Sequence, residues 1–348
     1  MSLLEIKNIS ITYKTQDGLM KAVDNVSFSL ELGKSVGLVG ESGCGKTTLA
    51  KSIIRLLSEN GKISEGQMIY KGEDLVEFSE EEIRKIRLKE IAMVSQSAMN
   101  SLNPVYTIGN QLIEGILEHT KMTKKQARVR AEEVFRMVGL EPKRLKSYPH
   151  QLSGGMKQRA IIAMALTLEP SLIIADEPTT ALDVVVQDRI LQKIVEIQKV
   201  INSSMILITH DISVVSETCN DIIVMYGGKI MEKALTRNFF TAPYHPYSLG
   251  LNNAFPSIHE IGEELISIPG SPPNLMEQQV GCRFKDRCPF RTEKCEQEEP
   301  QLEIVGEGHY SACHYNDQVL EFREKAKKRE VWDQVRQRII NELRKELL

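Results

Sequence analysis

Gly40-Glu41-Ser42-Gly43-Cys44-Gly45-Lys46-Thr47 is the stretch that decides the fold. The octet fits G-x-x-x-x-G-K-[ST], a loop that turns its own backbone N–H groups inward around a phosphate. Only glycines let such a loop close tightly, and the helix after it adds its N-terminal partial charge. Lys46 suits the β- and γ-phosphates of a nucleotide and the Thr47 hydroxyl suits Mg²⁺. A chance glycine-rich turn is the plain alternative, but the octet lies between a predicted strand at 35–40 and a predicted helix at 47–57. About 130 residues further on, Ser171-Leu-Ile-Ile-Ala-Asp176-Glu177-Pro178 reads as a buried strand ending in two acids. A carboxylate at such a strand end stands at the sheet's C-terminal edge, where ligands of these sheets bind. Asp176 suits Mg²⁺ held through water, and Glu177 could polarise a water for attack on the γ-phosphate. Paired acids at a strand end often only cap the next helix; beside a phosphate loop that reading weakens.

Outward from these two anchors, residues 4–13 and 23–30 alternate at period two around the turn-like Thr15-Gln-Asp-Gly. Residues 107–139 are helical and charged, and strand-like segments return at 171–175, 205–209 and 221–226. Strand–helix alternation interrupted by one helical insertion predicts a largely parallel sheet covered by helices. Past residue 240, Pro243, Pro246, Pro256, Pro269, Pro272 and Pro273 predict an extended loop with short helices. Trp332, Val335, Ile339, Leu343 and Leu347 recur at three- and four-residue steps, an amphipathic helix expected to pack on its own chain, with a dimer contact as the alternative.

The chain has 348 residues, 41% hydrophobic and 26% charged, which excludes collagen-like, mucin-like and fully disordered classes. The most apolar run, 160–168, is half of what a membrane span needs, and the N-terminus lacks a secretory pattern. A net charge of −3 gives no electrostatic case for nucleic acid. Six cysteines without a secretion signal suggest thiols or metal ligands in a soluble, intracellular protein.

Leu152-Ser153-Gly154-Gly155-Met156-Lys157-Gln158-Arg159 resembles the signature motif of ATP-binding-cassette (ABC) ATPases. Gln96, after the strand 91–95, resembles the family's Q-loop glutamine; Ala181-Leu182-Asp183 resembles the D-loop, and His210 the switch histidine. Tyr13 sits where the family stacks an aromatic on adenine. The resemblance covers roughly residues 3–240 and implies a P-loop NTPase (RecA-like) α/β core with an antiparallel β subdomain and a helical subdomain at about 97–160, all within 1–240. It implies ATP and Mg²⁺ as cofactors. ATP would be bound by Tyr13, Gly40, Ser42, Gly43, Cys44, Gly45, Lys46, Thr47 and Thr48, and Mg²⁺ by Thr47, Gln96 and Asp176. Glu177, His210 and Gln96 would act in catalysis, while Ser153, Gly154, Gly155 and Gln158, with Asp183 of the D-loop, would serve the nucleotide of a partner cassette in a head-to-tail dimer.

His245-Pro246-Tyr247 and Ile268-Pro269-Gly270-Ser271-Pro272-Pro273 resemble the C-terminal region of the dipeptide/oligopeptide importer ATPases, and Met156 resembles their D-type subunit. This implies an ATPase on the cytoplasmic face of the membrane, partnered by a second, non-identical ATPase and two transmembrane permeases, with an external solute-binding protein acting indirectly. Nickel or oligosaccharide uptake, or a soluble ABC ATPase outside transport, are the alternatives. Region 241–315 would carry the importer-type C-terminal part and 316–348 the amphipathic helix.

Cys282-x5-Cys288-x6-Cys295-x17-Cys313 lies in a proline- and charge-rich stretch. Disulfides suit a reducing compartment poorly, and Zn²⁺ usually shows tighter C-x2–4-C pairs. A four-cysteine iron–sulfur cluster is chemically reasonable, and the resembled importer ATPases include members with [4Fe–4S] here; zinc and no metal remain open. Cys219 reads as a buried thiol, and alkylation of Cys44 is expected to block nucleotide binding.

Overall fold

The structure, a computed structural model, describes residues 2–95, 101–179, 184–254, 266–277 and 279–346. Strands β1 (Ser2–Thr15) and β2 (Gly18–Glu31) form a hairpin in which Asp24, Val26, Phe28 and Leu30 alternate inward with Asn25, Ser27 and Ser29 outward. That period-two burial is what a strand covered on one face requires. Strand β3 (Ser35–Val39) feeds the phosphate loop and helix α1 (Lys46–Ile53). The chain then returns as β4 (Gly61–Tyr70) and the short β5 (Glu73–Asp74), completing an antiparallel sheet ordered β2-β1-β4-β5. Helix α2 (Glu80–Ile86), started by a Ser79/Glu82 capping box, leads to β6 (Ile91–Val94).

Residues 107–139 form two helices, α3 (Ile108–His119) and α4 (Lys124–Met137). Thr107 and Thr123 cap them, and Gln126 closes a capping box with Thr123. Their apolar faces, Ile108, Leu112 and Ile116 against Ala131, Val134 and Phe135, are fully buried in one cluster with α5 (Gly154–Leu166). The chain re-enters the core through β7 (Leu172–Asp176), α6 (Val184–Val200), β8 (Ser204–Ile208), α7 (Ile212–Thr218), β9 (Asp221–Tyr226) and β10 (Lys229–Leu235). Strands β3, β6, β7, β8 and β9 pair in parallel, and β10 adds antiparallel to β9. Along β7, Leu172 and Ile174 point into the core shared with the antiparallel sheet, and Ile173 and Ala175 into the core under the helices. Burial on both faces explains the unbroken apolar runs of these strands, each buried Leu or Ile stabilising the fold by about 1.5–3 kcal/mol.

Beyond α8 (Thr236–Thr241) the expected short helices are present as α9 (Pro246–Asn253) and α10 (Glu293–Gln297). The stretch read as loop also holds a hairpin, β11 (Glu303–Gly306) and β12 (His309–Ser311). It pairs with β10 and extends the main sheet to eight strands among the described residues, ordered β11-β12-β10-β9-β3-β8-β7-β6. The junction is polar. Glu232 of β10, fully buried, accepts from the Tyr244 and His245 backbone N–H groups and lies 2.7 Å from His309 Nε2. Helices α11 (Val319–Ala326) and α12 (Arg329–Glu346) close the chain. Trp332 packs over Gly250, where an added Cβ would stand 2.7 Å from its ring, so α12 is seated on its own subunit. Among the described residues no helix is long and apolar enough to cross a membrane.

His245 caps α9 through Nδ1, which accepts from the Tyr247 N–H at 3.1 Å, so it must be neutral. Complete burial pushes its pKa down to about 3, against about 6.5 in an unfolded chain. A depressed pKa contributes stability that is present above the unfolded value and lost as pH falls through it toward the folded one. The melting temperature should therefore drop between pH 7 and pH 5. His245→Asn, whose amide oxygen can take the same N–H, should flatten that drop; equal slopes in paired thermal melts would remove His245 as the source.

Candidate nucleotide site

The phosphate loop closes where β3 ends. A Cβ at Gly40 would lie 2.1 Å from the Met225 carbonyl oxygen, and one at Gly45 2.4 Å from the Ala22 carbonyl oxygen; both residues have positive φ. Neither position accepts a side chain. Gly45 is also the N-cap of α1 and offers no side-chain acceptor, which leaves the helix's first N–H groups to a phosphate. Lys46 is buried, and its Nζ donates to the Gly40 and Glu41 carbonyls at 2.8 Å each. Tyr13 lays its ring against Gly61, and its hydroxyl is 3.5 Å from Thr48 Oγ1. Cys44 is buried and its thiol is pushed up by that burial, so it is a slow target for alkylation and a poorer probe of the loop than its sequence position suggested.

Asp176 ends β7 with 1% exposure. The Thr47 hydroxyl donates to its Oδ1 at 3.0 Å, whereas Oδ2 is buried with no hydrogen-bond partner. Burial raises its pKa, Thr47 opposing. A buried carboxylate oxygen without a partner beside a threonine hydroxyl fits Mg²⁺, which takes one or two protein oxygens and fills its shell with water and phosphate. Glu177 comes next with φ 46, a left-handed backbone that a glutamate rarely adopts. Its N–H donates to the Ile208 carbonyl at 2.9 Å, and its Oε1 is 3.6 Å from His210 Nδ1. The turn therefore separates the two acids, one inward beside Thr47 and one facing the exposed His210 at the edge of β8. Strained backbone of this kind clusters at functional sites, and nothing in the residue order signalled it.

Ser153 caps α5, accepting from the Met156 N–H at 3.4 Å, and Ser153 and Gly154 are exposed. Gln158 is not at that surface. It is buried, and its amide donates to the Pro178 carbonyl, tying the signature helix to the residue after the acid pair. Gln96 and Asp183 lie outside the described residues.

All four cysteines of the quartet are free, and Cys282, Cys288, Cys295 and Cys313 line one small cavity with Phe290 and Phe322. Burial pushes Cys282 up to about 12 and Cys313 up to about 11. Among the described residues no three His, Cys, Asp or Glu side chains are grouped to hold a single metal ion. Cys219 is buried elsewhere, its thiol pushed up to about 12.

A phosphate loop and a strand-end carboxylate serve many nucleotide enzymes. What narrows the class is the exposed N-terminus of α5 on a separate helical layer, tied back to the acid pair, and the class it defines is the ABC ATPases. The "ABC transporter" family matches residues 23–180, and "Oligopeptide/dipeptide transporter, C-terminal region" matches residues 231–295. The chain is 43% identical to the oligopeptide transport ATP-binding protein OppD of Escherichia coli (strain K12), covering 90% of this chain and 93% of that one. It is also 43% identical to the dipeptide transport ATP-binding protein DppD of Bacillus subtilis (strain 168), with 92% and 96% covered. Among solved structures, the dimeric cassette MJ0796 in a post-hydrolysis state bound to ADP and Pi matches at TM-score 0.61 and 30% identity, covering 67% of this chain and 99% of its own. The chain belongs to the ATP-binding proteins of the oligopeptide/dipeptide ABC transporters.

Two substitutions separate the roles. Glu177→Gln should keep ATP affinity but lower turnover at least about 100-fold, and gel filtration should show an ATP-stabilised dimer. Turnover within a few-fold of wild type would remove Glu177 from catalysis. Lys46→Ala should instead lose nucleotide affinity in a binding titration.

Proposed function

We propose that this chain is the ATPase that energises uptake of di- or oligopeptides, working as one half of a head-to-tail pair of cassettes at the cytoplasmic face of a membrane. The observation that carries the reading is the union, in one chain, of a phosphate loop level with strand-end acids and the importer-type C-terminal region. Its partners are two transmembrane permeases and a second ATPase, with a solute-binding protein acting through the permeases. The helical layer of α3, α4 and α5 is the surface for the permeases, and the exposed Ser153 and Gly154 serve the partner's ATP, with Asp183 nearby in sequence. In catalysis Lys46 and the loop N–H groups hold the β- and γ-phosphates, and Thr47, Asp176 and Gln96 would hold Mg²⁺, which would supply charge neutralisation for the phosphates. Glu177 takes the proton of the attacking water while His210 orients the γ-phosphate.

The quartet Cys282, Cys288, Cys295 and Cys313 is proposed to hold a [4Fe–4S] cluster. Four unpaired thiols around one apolar cavity are the donor set such a cluster takes, whereas zinc sites usually draw on tighter C-x2–4-C pairs than the spacings here. Where present, the cluster supplies a covalent staple for a segment poor in apolar residues.

Purification from native membranes in gentle detergent tests the transport reading. Co-purifying permeases and a peptide-binding protein support it, and peptide uptake should fall to background in Lys46→Ala cells. A binding protein loaded with nickel or an oligosaccharide would replace the peptide assignment. Anaerobic protein should carry about four iron and four sulfide per chain, lost in Cys288→Ser; stoichiometric zinc would overturn the cluster.

A further inference from the structure

The part of the chain beyond the cassette reaches into the phosphate loop. Arg287, 3% exposed and one residue before Cys288, makes a bidentate pair with Glu41, the second residue of the loop: Nη1 to Oε2 at 2.6 Å and Nη2 to Oε1 at 2.9 Å. Its other donors are also used. Nε donates to the Pro269 carbonyl at 2.8 Å, Nη1 to the Tyr226 hydroxyl at 3.2 Å and Nη2 to the Ile268 carbonyl at 3.3 Å. All five guanidinium N–H groups are thus committed, which fixes the fork in one orientation. The Glu41 backbone is held from the same side, because its N–H donates to the Tyr247 hydroxyl at 3.0 Å. Tyr226, Tyr247 and Phe284 pack ring on ring behind it.

Glu41 is an awkward residue for a phosphate loop. Its carboxylate shares a short turn with the groups that receive a triphosphate, and like charges at that range oppose binding. The Glu41 carbonyl also accepts from Lys46, so a shift of Glu41 moves the lysine. Tyr247 and Arg287 both lie in the part matched by the importer-type C-terminal region. A solved cassette such as MJ0796 spans only 67% of this chain while 99% of its own length is covered, so it has no counterpart of this length.

We propose that Arg287 is a positioning residue for ATP: it neutralises Glu41 and holds the first turn of the phosphate loop, so that the C-terminal region sets the cassette's nucleotide affinity. The proposal rests on ATP being the ligand of the loop, which wild-type binding checks separately.

The test uses the full chain, a fluorescent ATP analogue with Mg²⁺, and steady-state ATPase assays. Arg287→Gln should raise the Kd and the KM for ATP about tenfold, within the usual range of site-to-site coupling, while kcat at saturating ATP stays within about threefold of wild type. Glu41→Gln/Arg287→Gln, which removes the uncompensated carboxylate, should recover most of the lost affinity, and Arg287→Lys should fall between. Wild-type affinity in Arg287→Gln would overturn the proposal. So would a double variant as weak as the single one, because Arg287 would then act through packing alone. If Arg287→Gln does not fold, the double variant against Arg287→Lys still decides: the double must bind ATP at least as well. A wild-type chain that failed to bind ATP would sink the ATPase reading instead.

Discussion

The nucleotide edge depends on the register of three parallel strands. Asp176 stands opposite Ile208 across β7 and β8, and Ile208 stands opposite Leu38 across β8 and β3. The three strands therefore finish level, and their C-terminal ends release the chain at the same edge: the phosphate loop after β3, Glu177 after β7, His210 after β8. Residues separated by well over a hundred positions meet because the strand ends are aligned. Alternation secures that alignment. Ile206 and Ile208 fill one core while Met205 and Leu207 fill the other, so a one-residue slip would exchange the faces of a whole strand.

The same edge is crowded with negative charge. Glu41, Asp176 and Glu177 converge on a region meant for a polyanion, and each is managed by different physics. Asp176 is buried and kept beside Thr47, where a divalent cation would remove the conflict. Glu177 is turned away by its left-handed backbone toward His210. Glu41 is taken up by Arg287 from outside the cassette. A loop of glycines and one lysine has no spare cation for a third carboxylate, so the compensation comes from elsewhere in the chain.

Much of this was legible in the sequence because it is local. A glycine loop between strand and helix, acids at the end of an apolar run, and a serine–glycine helix start each declare their chemistry within eight residues. Other features were not. The hairpin of β11 and β12 is too short for a period-two signal, and buried Glu232 ties it to β10 through His309 across 77 positions. Strand β4 is half exposed and is held by pairing with β1, which its composition does not announce. The backbone of Glu177 and the inward turn of Gln158 are set by tertiary contact, against the ordinary preferences of those residues.

The C-terminal region is joined to the cassette by buried ion pairs as well as by a shared apolar core, and the ion pairs have a structural consequence. Arg283 pairs with Asp24 of β2, where Lys229 also lies 3.1 Å away. Burial would raise Asp24, but Lys21 and Lys229 outweigh it and hold the carboxyl below its usual value. Pairs this buried contribute geometry more than net stability, since desolvation offsets much of the attraction, while loss of one partner strands the other. Between residues 282 and 288 the thiols of Cys282 and Cys288 turn to the cavity and the neighbouring Arg283 and Arg287 turn to the cassette. A single turn of chain thus serves two sites at once. Cys282, Arg283, Arg287 and Cys288 share one short backbone segment, which places the cysteine cavity and the phosphate loop on opposite sides of the same stretch of chain.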